Sequence, residues 1–114
     1  MKLAIGCLLL MLALPAAAAA TDKEIEYLLA SVEQSHCTFI RNGKAYPSAE
    51  AADHLRMKYE RAGSRVNGAD QFIGRIASKS SMSGKPYTMQ CEDAEPLPTQ
   101  RWLSERLAEF RAAN

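Results

Sequence analysis

Apolar residues at Ile25, Leu28, Leu29 and Val32 recur at helical spacing, with Asp22, Glu24 and Glu26 loaded at the start, where a helix dipole favours acids. The pattern predicts a first helix from about Asp22 to Gln34. It gives way to Cys37-Thr38-Phe39-Ile40-Arg41-Asn42-Gly43-Lys44-Ala45-Tyr46, in which Asn-Gly signals a type I′ hairpin, since both central residues need positive φ. A two-residue Asn42-Gly43 loop sets Phe39 opposite Tyr46, with Cys37 on the same face. Pro47-Ser48 then stops the strand and caps a second helix, Ala49 to about Ala62, whose buried stripe is Ala51 or Ala52, Leu55, Tyr59 and Ala62. Gly63 ends it. Asn67-Gly68-Ala69-Asp70 has the form of a capping box and opens a third helix with Phe72, Ile73, Ile76 and Ala77 on one side.

The stretch Ala77-Ser78-Lys79-Ser80-Ser81-Met82-Ser83-Gly84-Lys85-Pro86-Tyr87 is polar and rich in serine. After it, Tyr87, Met89 and Cys91 alternate with Thr88 and Gln90, as in a half-buried strand with Tyr87 and Met89 facing the core. Glu92 to Pro98 is an acidic, proline-bearing connector. Thr99 caps a last helix with Trp102, Leu103, Leu107 and Phe110 inward and Arg106 and Arg111 in its C-terminal half. The sum is an α+β fold: about four helices packed on a small antiparallel sheet made of the hairpin plus one strand.

Residues 1–20 stand apart from this pattern. Lys2, the apolar run Leu3 to Leu14, Pro15 and the small residues Ala16 to Ala20 have the order of a cleaved export signal, with the cut before Thr21. The apolar run is too short to span a bilayer, so no membrane anchor is expected after cleavage. Cys7 lies inside that run and is not read as a lipidation site. Residues 21–114 suffice for one small α+β domain.

Composition changes the picture in two places. The chain has 14 basic and 13 acidic residues, and losing Lys2 with the leader equalises them. The basic residues are scattered among acids, so nucleic acid is not an expected partner. Cys37 and Cys91 remain as an even pair in an oxidising compartment, read as one disulfide in preference to free thiols or metal ligands. It would close a loop of about 55 residues, for roughly 4 kcal/mol in the chain-entropy account.

No complete catalytic constellation is present. A Ser-x-x-Lys pair ending at Lys79 or Lys85 would need serine where Ile76 and Met82 stand, and Gly84-Lys85 is followed by Pro86, not the Ser or Thr of a phosphate-binding loop. A serine–lysine hydrolase therefore needs a dyad assembled in space. Asp53 and His54 are helix neighbours that point apart. No cofactor motif and no metal-ligand set is found. Tyr87 and Trp102 read as core aromatics, and of His36 and His54 one reads as a surface histidine and one as packed beside the core; Arg41 and Lys44 flank the hairpin turn, where charges are commonly solvated. What remains is the donor-rich loop Ser80, Ser81, Ser83, Gly84 and Lys85 with Tyr87, suited to an acceptor-rich partner such as paired carboxylates or a muropeptide acid.

Phe39-Ile40-Arg41-Asn42-Gly43, His54-Leu55 with Lys58, and Phe72-Ile73 leading through Ile76-Ala77-Ser78-Lys79-Ser80-Ser81 to Ser83-Gly84-Lys85-Pro86-Tyr87 resemble the YfeK-like family of small exported bacterial proteins, a domain of unknown function. The likeness covers nearly the whole of residues 21–114, implies a periplasmic location and brings no catalytic residue. Ser83-Gly84-Lys85-Pro86-Tyr87 also resembles, locally, the Ser-Gly-x-x-Tyr loop of periplasmic lysozyme inhibitors, which would make Ser83 and Tyr87 the contact residues. The second inhibitor motif, Tyr-x-x-x-Thr-Lys-Gly, is missing from the chain, and those inhibitors are β-rich.

The expectation is a periplasmic, disulfide-closed, non-enzymatic protein that uses the 78–87 loop to bind an envelope protein or a cell-wall-derived ligand, without a cofactor. Inhibition of a lysozyme-like enzyme is the alternative.

Overall fold

The computed structural model describes residues 22–114; the expected leader, residues 1–20, lies outside them. Helix α1 (Lys23–Gln34) starts at Asp22, whose carboxylate accepts the backbone N–H of Glu24 at 2.9 Å and of Ile25 at 3.2 Å. Ile25, Leu28, Leu29 and Val32 are at most 1% exposed, so α1 lies in the middle of the core. Burying each such side chain is worth about 1.5–3 kcal/mol.

Strands β1 (Thr38–Arg41) and β2 (Lys44–Pro47) form the expected hairpin, with φ of 53° at Asn42 and 78° at Gly43. Phe39 pairs with Tyr46 across it and with Met89 of β3 (Thr88–Gln90) on the other side. A fourth strand, β4 (Leu97–Pro98), comes from the acidic connector and pairs Leu97 with Met89, giving an antiparallel sheet in the order β2-β1-β3-β4. The Cys37–Cys91 disulfide joins the flanks of β1 and β3. The sheet is therefore one short strand wider than expected.

Helix α2 (Ser48–Ala62) packs on α1 and buries Ala52 and Leu55, with Tyr59 edge-on against Phe72 at 5.6 Å between centroids. A 3₁₀ turn follows at Gly63–Arg65. The third helix is mixed: α3 (Gly68–Gln71) runs into a π turn at Phe72–Ile76, closed by Ala77 N–H donating to the carbonyl of Phe72 five residues back. Helix α4 (Thr99–Ala113) returns across α1, where Phe110 stacks on Tyr27 at 4.6 Å and Arg111 binds Glu24 and Asp70.

Two helix caps differ from expectation for one reason. Pro47 and Pro98 are extended and themselves occupy the N-cap position, so Ser48 and Thr99 are the first helical residues. From there Ser48 Oγ donates to the carbonyl of Glu33 at 3.0 Å, tying α2 to the end of α1, while Thr99 Oγ1 is buried with no partner. Asn67 likewise caps nothing with its side chain; its own N–H is bound by Gln71 Oε1 at 2.8 Å.

Candidate functional site

The flank of α2 beside its buried stripe carries His54 and Lys58, half-buried, one helical turn apart and therefore neighbours in space. Both reach Tyr87. Lys58 Nζ donates to Tyr87 Oη at 3.0 Å and also to the carbonyls of Ile76 at 2.8 Å and Lys79 at 3.2 Å. All three ammonium protons thus have acceptors, one of them the Ile76 carbonyl at the end of the π turn, where a helix leaves carbonyls unpaired, and one the Lys79 carbonyl in the serine loop. His54 Nε2 lies 3.3 Å from the same phenol oxygen, with the rings edge-on. Tyr87 Oη, accepting from Lys58, has one proton to give; directed at His54 Nε2, it sets the tautomer with the proton on Nδ1.

Burial is the main cause of every shift in this chain of groups. It lowers the pKa of His54, with Arg41, Lys58 and Arg61 adding repulsion, and so favours the neutral imidazole. It lowers Lys58, again helped by Arg41, and it raises Tyr87 against the opposing pull of Arg41. The phenol therefore stays protonated and acts as a hydrogen-bonding post.

His54 and Tyr87 line a cleft of about 130 Å³ between α2 and the hairpin, with Lys58 bonded to Tyr87 outside the lining. Phe39, Ile40, Leu55 and Ala51 give it an apolar interior, and Glu50, one helical turn before His54, also lines it. Arg41 also lines it, held by a bond from its guanidinium to Tyr46 Oη at 3.0 Å and stacked over the Tyr46 ring at 4.7 Å. The volume is close to that of an engineered apolar cavity that takes up benzene, about 150 Å³. It has room for one ring-sized group.

The serine loop is a clasped hairpin. Lys79 bridges to Pro86, Ser80 N–H donates to the carbonyl of Lys85, and Gly84 N–H donates to the carbonyl of Ser80, each of the latter two at 2.9 Å. Ser80 is 4% exposed, and its hydroxyl accepts the N–H groups of Met82 and Ser83. Asn42 in the β1–β2 turn reaches across to both Ser80 Oγ and Ser83 Oγ. Ser81, Ser83, Gly84 and Lys85 are exposed, whereas Tyr87 is 6% exposed and points into the cleft wall. The six residues thus divide: four on the surface, and Ser80 and Tyr87 inside. Among the described residues no serine hydroxyl is hydrogen-bonded to a lysine ammonium, and no group of three or more His, Cys, Asp or Glu side chains is placed to hold a metal ion.

Sequence reasoning missed the joint role of Arg41, His54 and Lys58. The signal it could have used is the i, i+4 spacing of His54 and Lys58 along the border of the buried stripe of α2. Their partner Tyr87 lies 29 residues beyond Lys58, a distance no local pattern bridges.

A family model described as "Family of unknown function (DUF5329)" matches residues 19–111. The chain is similar to "Uncharacterized protein YfeK" of Salmonella typhimurium, 40% identical over 90 residues that cover 75% of each protein. No solved structure matches.

Proposed function

The chain belongs to the DUF5329 family, of unknown function, and on that premise we propose that it is an exported, non-catalytic binding protein whose ligand enters the cleft between the hairpin and α2. One observation carries the reading: an apolar cleft of about 130 Å³ has a side wall fixed in advance by the Lys58–Tyr87–His54 chain, with Arg41 beside it. The ligand is a ring-sized apolar group bearing a hydrogen-bond acceptor or carboxylate, presented by a cell-wall-derived molecule or an envelope protein. The apolar body takes the place of water against Phe39, Ile40 and Leu55, and the acceptor meets Arg41. No serine, threonine or cysteine stands within the chain of groups, the Tyr87 phenol is held protonated by burial, and the Lys58 ammonium already serves three acceptors. The disulfide supports an oxidising location, for which the periplasm is the proposal.

The test is a thermal-shift screen of small aryl carboxylates, their amides and unsubstituted ring compounds. Wild-type protein is stabilised most by the carboxylates. Ala51→Phe, which fills the cleft, abolishes the shift, and a Ser83→Ala/Lys85→Ala pair leaves it intact. Shifts lost in the loop pair but kept in Ala51→Phe would move the site to the loop.

The exposure of Ser81, Ser83 and Lys85 favours a second reading, contact through the loop tip, including inhibition of a lysozyme-like enzyme. A turbidity assay with c-type, g-type and i-type lysozymes decides it; inhibition insensitive to Ala51→Phe and lost on Ser83→Ala would support the loop. Against it, Ser83 Oγ is already engaged by Asn42 and Tyr87 faces inward.

A further inference from the structure

A second, wider groove of about 430 Å³ has Lys58, Arg61, Arg65, Arg75, Val66 and Ile76 in its lining. Among the described residues no carboxylate lines it. The ion pairs of the described residues engage Arg56, Arg101, Arg106 and Arg111, and none of the groove's three arginines. In a chain with almost equal numbers of acids and bases, three of the four arginines outside ion pairs among the described residues thus line this groove, the fourth being Arg41 in the cleft.

Two of the three arginines are also fixed in place. Arg75 donates to the carbonyl of Arg65 at 2.9 Å, and Arg65 donates to the carbonyls of Arg61 and Ala62, each at 3.2 Å. This covers the carbonyl end of α2, which would otherwise repel an anion. Each guanidinium has five N–H donors, of which Arg75 uses one this way and Arg65 two, so most point elsewhere. The three come from separate elements: the last turn of α2, the 3₁₀ turn after Gly63, and the π turn. That π turn inserts one residue into the helical repeat, a feature frequent at functional sites, and Phe72, Ile73 and Ile76 stay buried in it while Arg75 stays exposed.

We propose that this groove is an anion site for a phosphate-bearing ligand, bridged by Arg61, Arg65 and Arg75, and distinct from the cleft. Planar guanidinium forks bind phosphate oxygens in pairs, which a lysine ammonium cannot do. Three of them around one groove suit a group with more than one negative charge. Lys58, with all its donors engaged, contributes field and not a contact.

The probes are inorganic tripolyphosphate, and vesicles of equimolar phosphatidylethanolamine and phosphatidylglycerol against phosphatidylcholine alone. Binding of tripolyphosphate, followed by amide NMR at residues 61, 65 and 75, assigns a soluble phosphate ligand. Co-sedimentation with the anionic vesicles only assigns a lipid headgroup. Either binding weakens with added salt. Arg65→Gln weakens it roughly tenfold, and Arg65→Lys, which keeps the charge but loses the fork, recovers only part. Arg101→Gln, remote and paired with Glu105, changes nothing. Absence of binding to both probes, or binding equal in wild type and an Arg61→Gln/Arg65→Gln/Arg75→Gln variant that keeps the wild-type melting temperature, overturns the proposal. Ala51→Phe, which closes the cleft, leaves phosphate binding unchanged, so the two sites are judged separately.

Discussion

Lys58 makes more long-range polar contacts than any single pattern in the chain would suggest, joining α2 to the carbonyls of Ile76 and Lys79 and to the Tyr87 phenol. Replacing it by methionine keeps the stem and leaves three acceptors without a donor, so Lys58→Met should cost about 1–3 kcal/mol in urea unfolding. A loss below about 0.5 kcal/mol would mean that water satisfies those oxygens equally well. His54 gives a pH dependence with a definite sign. Burial first, then Arg41, Lys58 and Arg61, hold it below its ordinary value of 6.5, so the unfolded chain takes up the proton first as pH falls. Its contribution is complete above 6.5 and declines below it, through the depressed folded value. Between about pH 7.5 and about pH 5.5 wild type should therefore lose more thermal stability than His54→Asn; parallel losses would contradict the buried neutral imidazole.

At the scale of elements, the hairpin was the most legible part, because a side-chain period of two and an Asn-Gly turn together leave one register. The helix starts at Ser48 and Thr99 were misread because hydroxyl residues at a helix start usually cap it, and the extended proline before each had already taken that position. Strand β4 was illegible: two residues in a proline-flanked acidic segment carry no alternation, and only the neighbouring β3 backbone makes them a strand. The basic spacing of His54, Lys58, Arg61 and Arg65 was visible along α2 and the turn after it, yet solvated faces share that pattern, and only the fold shows that no acids among the described residues line the groove where three of the four meet. The turn that places Arg65 depends on Gly63, at φ 55° and ψ −128°, a conformation open to glycine and strained for any side chain. Nothing lies within 4 Å of a Cβ built there, so Gly63→Ala tests backbone strain alone. The expected cost is about 1–3 kcal/mol in thermal or urea unfolding; a neutral outcome would show that the turn rearranges freely.

For the molecule as a whole, α1 supplies the centre of the core and the disulfide closes the chain over a separation of 54 residues, with both candidate sites built along the flank of α2. A Cys37→Ser/Cys91→Ser protein should lose about 2–5 kcal/mol, and reductant should lower the urea midpoint of wild type but not of the variant. The cleft itself is put to the test by two-dimensional amide NMR during titration with 3-phenylpropanoate. Binding in the cleft predicts progressive, saturable shifts confined to residues 39–41, 46, 50–55 and 87, removed by Ala51→Phe. Shifts confined to 81–85, or none at ligand concentrations that saturate other aryl-carboxylate sites, would contradict it.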